Sequence, residues 1–156
     1  MSSGSPTPPS ATRAVSEQRS RNMAAIRSKD TKPELTLRRA LRAAGHVGYR
    51  CHVSRLPGKP DVVFGPRRVA VFVDGAFWHG HPKRWKAGRY GSYWDEKIAR
   101  NQARDRQVDA ELAALGWRVV RLWDFELRRD PDAAVRAVEG ALALAEEGLP
   151  ARRRRR

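Results

Sequence analysis

Hydrophobic residues recur along this chain with two different periods, one typical of helices and one typical of strands. Residues 17–29 carry a few apolar side chains among charges, which predicts a short amphipathic helix. A second helix is predicted from Thr31 to Gly45, because Thr31 and Glu34 form a T-x-x-E capping box and leucines follow at helical spacing. Apolar and polar residues then alternate over 47–53, which predicts a half-buried strand.

Two apolar runs in the middle of the chain predict a β-hairpin. They cover residues 61–64 and 69–73 and flank a Gly-Pro-Arg-Arg connection. The following segment, 75–91, has too many glycine, histidine and proline residues for regular secondary structure. We therefore expect a long loop after the hairpin.

The last third of the chain is predicted to contain a long helix, a strand and a final helix. Ser92, with Asp95 three residues later, is expected to cap the long helix, which should end at Gly116. Residues 117–123 have the composition of a strand, and Asp130 is expected to cap the final helix. The predicted buried positions are Trp94, Ile98, Val108, Leu112 and Leu115 in the long helix and Val135, Val138 and Leu142 in the final one.

This element order predicts one α/β domain with a central mixed sheet flanked by helices. A chain of 156 residues has the length of a single domain, with little left for a second. Residues 1–14 are rich in Ser, Pro and Thr and are expected to form a disordered tail, and 149–156 an arginine-rich tail. The folded domain is therefore expected to span 15–148.

An excess of basic residues points to a partner. The 32 Lys and Arg residues outnumber the 17 Asp and Glu residues, and the formal net charge is +15. This excess favours nucleic acid as the partner, with an acidic membrane surface as the lesser alternative. Cys51 is the single cysteine, and no apolar run approaches the roughly 20 residues of a bilayer span. We expect a soluble intracellular protein without disulfides.

Two carboxylates fall at the same end of the predicted hairpin. Asp61 begins its first strand, and Asp74 ends its second. Such a pair can share a hard cation such as Mg²⁺, which takes oxygen ligands. Aspartates at strand ends are also common as turn residues and caps, and the spacing alone does not choose between the two interpretations.

The segment that begins at Asp74, DGAFWHGH, combines aromatic and titratable residues. Phe77 and Trp78 fit a wedge that stacks between bases, with His79 close enough to the carboxylates to move a proton. The competing interpretation is a hydrophobic cluster beneath a loop.

Four other candidates have a simpler structural explanation. The capping box alone accounts for Glu34, and Trp94 follows the apolar stripe of the long helix. Lys97 and Asn101 on that helix either meet phosphates and base edges or form its solvated face. The pattern leaves both interpretations open.

In their order and spacing, several runs of the sequence resemble a known nuclease family, the very short patch repair (Vsr) DNA mismatch endonucleases. The resemblance spans residues 16–127 and rests on RSRNMAAIRSKDTKPE, LPGKPDVVF, VFVDGAFWHGH, YWDEKIARN, RD and GWRVVRLWDFEL. It implies a restriction-endonuclease-like fold. It also implies an enzyme that nicks DNA beside the thymine of a T:G mismatch, which corrects deaminated 5-methylcytosine.

The resemblance implies roles for five residues at a catalytic centre. Asp61 and the backbone carbonyl of Val73 match the family's Mg²⁺ ligands, and His79 matches the histidine that activates water. Glu34 matches an acidic residue near the metal-bound waters. Asp74 stands where the best-known member has a catalytic histidine, which makes it a candidate direct or water-mediated ligand.

The resemblance further implies a DNA-contacting surface. Met23 falls on the N-terminal helix that approaches the minor groove, and Phe77, Trp78 and Trp94 match the aromatics that open the base stack. We expect a monomer that acts on T:G-mismatched duplex in the bacterial cytoplasm, at the nucleoid, with mismatch-repair proteins as candidate further partners.

One feature of the family is not expected here. Its structural zinc commonly uses cysteines where this chain has Ala76, Lys83 and Phe125, which leaves His81 alone. A tetrahedral structural site needs about four ligands, so no structural zinc is expected.

The sequence therefore predicts a Mg²⁺-dependent DNA endonuclease that nicks one strand of a mismatched duplex. Two alternatives stay open at this point. One is a related nuclease of the same fold with another DNA target, and the other is a non-catalytic DNA-binding module with a degenerate centre.

Overall fold

A four-stranded mixed sheet forms the centre of the structure, a computed structural model that describes residues 29–148. The strands lie in chain order across the sheet: β1 (Arg50–Cys51), β2 (Val62–Phe64), β3 (Val69–Asp74) and β4 (Arg118–Trp123). The β1–β2 and β2–β3 pairs are antiparallel, whereas β4 runs parallel to β3. Within the described residues, four α-helices accompany them: α1 (Lys32–Ala43), α2 (Ser92–Ala114), α3 (Asp124–Arg129) and α4 (Pro131–Glu147). The predicted α/β class with a mixed sheet is confirmed.

The helices cover both faces of the sheet. Side chains alternate along a strand, so β3 contributes residues to a core on each face. Val69 and Val71 point into a core shared with α1, α3 and α4. Ala70 and Phe72 point the other way and pack against Leu112 of α2. The same alternation places Asp74, the last residue of β3, on the α2 face.

The predicted hairpin is confirmed. Strands β2 and β3 pair with Phe64 opposite Val69, and a 3₁₀ turn over Gly65–Arg67 joins them. Arg68 closes the turn in the left-handed region, with φ 52°. Its N–H donates to the Gly65 carbonyl at 3.1 Å. The hairpin sets the register that brings residues 61 and 73 together.

The prediction of a strand over 47–53 is wrong in length. Only Arg50–Cys51 pairs with β2, and Val47 is 72% exposed. The physical reason is that β1 is an edge strand whose only neighbour is three residues long, so the sheet offers few backbone partners. Alternation in the sequence cannot report the length of the neighbouring strand.

The ends of α2 also differ from the prediction. Gly91, with φ 95°, is its N-cap, and Ser92 is already helical. Asp95 accepts hydrogen bonds from the Gly88 N–H at 2.9 and 3.1 Å, so its carboxylate holds the preceding loop. Leu115 lies beyond the last helical residue and is 54% exposed, outside the buried stripe.

The C-terminal part contains one helix that the sequence did not predict. Helix α3 follows β4 directly, and Asp124 at its start accepts a hydrogen bond from the Phe125 N–H at 2.8 Å. The predicted cap of α4 is confirmed, because Asp130 accepts from the Ala133 N–H at 3.0 Å.

Some expectations fall where the structure gives no description. The helix expected over 17–29, with Met23, lies outside the described residues except for Lys29. The two tails at 1–14 and 149–156 also lie outside them. Between residues 29 and 148, no helix has the length and apolar character needed to cross a membrane.

Candidate active site

Asp61 lies at the edge between β2 and β3. Its N–H donates to the Val71 carbonyl at 3.0 Å, and its carboxylate Oδ2 accepts from the Val73 N–H at 2.7 Å. The N–H and C=O of one strand residue point to the same side of the strand. The Val73 carbonyl therefore points to the edge that holds the Asp61 carboxylate, so both predicted metal ligands share one location.

The charge state of Asp61 is sensitive to its neighbours. Burial raises its pKa to about 6, and the hydrogen bond from Val73 opposes this shift. The negative charges of Glu34 and Asp74 contribute to this rise, whereas His52 acts to lower the pKa of Asp61. Burial and the charges of two other carboxylates thus disfavour the charged form of Asp61, which a bound cation would stabilise.

Glu34 faces this place from helix α1. It is only 5% exposed, and Oε2 lies 3.4 Å from Arg38 Nη2 and 3.6 Å from His52 Nε2. The His52 backbone N–H donates to the Asp61 carbonyl at 3.3 Å. Helix capping alone does not require this burial or these contacts of the Glu34 side chain. We refer to Asp61, Val73, Glu34 and His52 as the Asp61 group.

His79 lies in the loop after β3, with a carboxylate facing each nitrogen of its ring. Nδ1 lies 2.5 Å from Asp105 Oδ2, and Nε2 lies 3.8 Å from Asp74 Oδ1. A hydrogen bond from Nδ1–H to a carboxylate fixes the ring orientation and leaves Nε2 as the nitrogen that accepts a proton. We refer to His79, Asp74, Asp105 and Arg121 as the His79 group.

Asp74 is buried beside Arg121 of β4. It is 4% exposed, and both its carboxylate oxygens accept from Arg121 Nη1, at 3.0 and 3.1 Å. Burial raises the pKa of Asp74, while the charges of His79 and Arg121 act in the opposite direction. The aspartate is thus held by a cation within the protein.

The sequence interpretation missed Asp105 and Arg121 as site residues. Both stand where an apolar residue is expected: Arg121 interrupts an apolar strand, and Asp105 lies in a gap of the α2 stripe between Ile98 and Val108. Polar residues at positions that face the core would have been the usable signal.

Two amides fill the rest of that gap and hold the loop. Asn101 Nδ2 donates to the Trp78 carbonyl at 2.9 Å, and Gln102 Nε2 donates to the His79 carbonyl at 3.3 Å. Helix α2 therefore sets the backbone on either side of the His79 ring. A contact of Asn101 with DNA stays a prediction.

The three predicted wedge residues lie in one aromatic cluster, made of Phe77, Trp78, Tyr90, Tyr93 and Trp94. The Phe77 ring centroid lies 5.6 Å from that of Trp78 and 5.4 Å from that of Trp94, and both pairs are edge-on. The Lys97 ammonium lies 5.4 Å from the centroid of the Trp78 ring. Phe77, Trp78 and Trp94 are all half-buried. The cluster is compatible with both interpretations of these residues, as a wedge and as packing beneath a loop.

The neighbourhood of His81 does not fit a structural zinc. The His81 ring packs edge-on against Trp123 and Phe125, with centroid distances of 4.7 and 5.0 Å, and its Nδ1 accepts from the Lys83 N–H at 3.1 Å. Ala76 is buried, and its N–H donates to Asp124 at 3.1 Å. Within 29–148, His81 belongs to no cluster of three or more side chains that could share an ion.

Sequence comparisons place these features in a family. The model of the DNA mismatch endonuclease Vsr family matches residues 13–85. A type II nicking enzyme, V.XorIIP, from Xanthomonas oryzae pv. oryzae is 45% identical over 115 residues, which cover 71% of this chain and 82% of the relative. Another, V.NaeI, from Lentzea aerocolonigenes is 45% identical over 122 residues, with 75% and 74% covered.

The DNA mismatch endonuclease Vsr of Escherichia coli K12 is 40% identical to the chain over 113 residues, covering 70% of this chain and 71% of that protein. These relatives confirm the resemblance inferred from the sequence runs. The α/β fold with its mixed sheet is consistent with the restriction-endonuclease-like fold that the resemblance implies. The chain therefore belongs to the Vsr family of DNA mismatch endonucleases.

Proposed function

We propose that this protein nicks one DNA strand beside the thymine of a T:G mismatch, as a Mg²⁺-dependent monomer in the cytoplasm. The family makes it a DNA endonuclease, and the substrate and cofactor are our inference. The observation that carries the proposal is the meeting of the Asp61 and His79 groups at adjacent residues of β3, Val73 and Asp74.

The donors of the Asp61 group suit Mg²⁺, which prefers oxygen ligands. The Asp61 carboxylate and the Val73 carbonyl would hold the ion, and Glu34 lies near enough for its charge to raise the pKa of Asp61. When bound, the ion would polarise the scissile phosphate and stabilise charge on its oxygens. The protein's part is to keep these oxygens at one edge of the sheet.

His79 is suited to general-base chemistry. Asp105 holds Nδ1 at 2.5 Å, so Nε2 is left to take a proton from the attacking water. The imidazole becomes positively charged when it accepts that proton. The Asp74 carboxylate, 3.8 Å from Nε2, would stabilise this charge.

Selection of the mismatch would use Phe77, Trp78 and Trp94. Unstacking a base step costs a few kcal/mol, and less at a mismatched pair, so an aromatic wedge favours mismatched duplex. Phosphate contacts from the basic residues, with Lys97 beside Trp78, would supply affinity that does not depend on sequence. Met23 and Asn101 are proposed to contribute further DNA contacts.

A nicking assay on paired duplexes tests the proposal. Two duplexes that differ only in a T:G or a C:G pair are incubated with the full chain, with Mg²⁺ or with excess chelator. We expect one nick beside the thymine of the T:G duplex, only with Mg²⁺. Equal cleavage of both duplexes would indicate a related nuclease with another target, and binding without cleavage would indicate a DNA-binding module.

A further inference from the structure

Each of the three guanidinium nitrogens of Arg121 donates a hydrogen bond inside the protein. A guanidinium has five N–H donors. Nε donates to Asp109, Nη2 donates to Asp109 at 2.7 Å and to the Asp105 carbonyl at 3.4 Å, and Nη1 donates to both oxygens of Asp74. All three guanidinium nitrogens therefore donate to carboxylate or carbonyl oxygens of the protein, which commits the side chain to Asp74, Asp105 and Asp109.

The surroundings of Arg121 fix both its position and its charge. Its Cζ lies 4.4 Å from the centroid of the Phe72 ring, on the α2 face of the sheet. Burial acts to lower the pKa of Arg121, but the hydrogen bonds and charges of Asp109 and Asp74 outweigh it and raise that pKa. The side chain is therefore a fixed cation between strand β4, strand β3 and helix α2.

Arg121 also lies beside Asp74 and Asp105, the two carboxylates that face His79. Asp74 receives two hydrogen bonds from Nη1, and Asp105 Oδ1 lies 3.8 Å from the same nitrogen. Asp74 belongs to β3 and Asp105 to α2, so the guanidinium sets the spacing between them. Without that cation, two like charges would face each other across the imidazole.

We propose that Arg121 is a positioning residue for the nicking reaction, which holds Asp74 and Asp105 at the two nitrogens of His79. This inference rests on the proposed function. The alternative is that Arg121 only stabilises the packing of β4 against α2, and one consequence distinguishes the two roles. A positioning residue acts on the reaction through His79, so its effect disappears when His79 is removed.

A double-mutant cycle separates the two roles. Arg121→Lys keeps the positive charge. All three N–H donors of lysine are on one nitrogen atom, however, which cannot reach Asp74, Asp105 and Asp109 at the same time. We expect Arg121→Lys to slow single-turnover nicking at saturating DNA by about 10- to 100-fold, as for residues that orient a site from outside it. Its Kd for the same duplex should change by less than about 3-fold.

In a His79→Ala background, the same Arg121→Lys change should slow nicking by less than about 3-fold. The free-energy effects of two substitutions add when the residues act independently, whereas here Arg121 acts through His79. Equal slowing in both backgrounds would overturn the proposal, and so would a change confined to Kd. The matched control is Arg118→Lys, the same substitution at an exposed residue at the opposite end of β4. It should leave the rate within about 3-fold.

A second measurement covers the case in which Arg121→Lys does not fold. In the ¹⁵N-arginine spectrum of the unmodified protein, the Arg121 Nε–H signal should exchange slowly and keep its position when duplex is added. A large shift or loss of protection would show that Arg121 leaves its aspartates for a phosphate, which would overturn the proposal. Nicking of T:G duplex by the unmodified chain is checked first, so failure of the proposed function is seen separately.

Discussion

The Asp61 group and the His79 group lie at adjacent residues of β3, yet their charges are arranged differently. Around Asp61, burial and two carboxylates raise the pKa to about 6. In the His79 group, Arg121 Nη1 lies 3.0 Å from Asp74, and Asp105 is bonded to the histidine. Arg121 contacts Asp74 directly, whereas the guanidinium beside the first group, that of Arg38, contacts Glu34. A cation added at Asp61 would stabilise the charged form of its carboxylate.

This contrast bears on where a metal binds. Asp74, His79 and Asp105 lie close enough together to share an ion on distance alone. The adjacent guanidinium repels a second cation, and it occupies both oxygens of Asp74. On the ground of charge, we therefore propose metal binding at Asp61 and proton transfer at His79.

The largest expected effect comes from Asp61→Asn, which keeps the side-chain size and removes the charge that holds the ion. Metal assistance is worth several kcal/mol, so nicking should fall by about 10³-fold or more. Binding to T:G duplex, measured by anisotropy, should persist. Nicking at the unmodified rate would contradict the assignment of Asp61.

The next effect is expected from His79→Ala. Loss of a general base typically costs about 10²- to 10⁴-fold, and the single-turnover nicking rate measures it. His81→Ala is the matched control, because His81 lies in the same loop and its ring packs edge-on against Trp123 and Phe125. If both variants slowed nicking equally, the loss would reflect a disturbed loop.

A smaller effect is expected at the aromatic cluster. Stacking of a base on an aromatic ring is worth about 1 to 3 kcal/mol, so Trp78→Ala should lower the preference for T:G over C:G duplex by about 5- to 150-fold. Lys97→Ala should instead weaken both duplexes alike and reduce the salt slope of binding by about 1. Binding titrations at several salt concentrations check both. An undiminished preference in Trp78→Ala would identify the cluster as packing beneath the loop.

The smallest effect is expected from zinc removal. Because aromatic rings surround His81, a zinc chelator should leave the midpoint of thermal unfolding unchanged, and elemental analysis should find no stoichiometric zinc. One zinc per chain, together with unfolding on chelation, would show that ligands had been missed. Nicking by chelated protein after Mg²⁺ is restored serves as the control.

The sequence predicted what depends on neighbours along the chain. The turn between β2 and β3 and the Asp130 cap of α4 are local, and both are confirmed. The length of β1 depends on pairing with another strand, and alternation over 47–53 overestimated it.

The same limit applied to the site. Asp61, Asp74 and His79 stand out because they sit in short runs beside strand ends. Arg121 reaches Asp74 across 47 positions of the chain and Asp109 across 12, through the parallel register of β3 with β4 and the packing of α2. No local pattern encodes those distances. Only the presence of polar residues at core-facing positions hinted at them.

The division of labour between the two groups is tested most directly by the Mg²⁺ dependence of nicking. Single-turnover rates on T:G duplex are measured over a range of Mg²⁺ concentrations for the unmodified protein, Asp61→Asn and His79→Ala. We predict that His79→Ala lowers the maximal rate and leaves the half-saturating Mg²⁺ concentration unchanged, whereas Asp61→Asn raises that concentration. A half-saturating concentration raised equally in both variants would contradict the account, because His79 would then help to hold the ion.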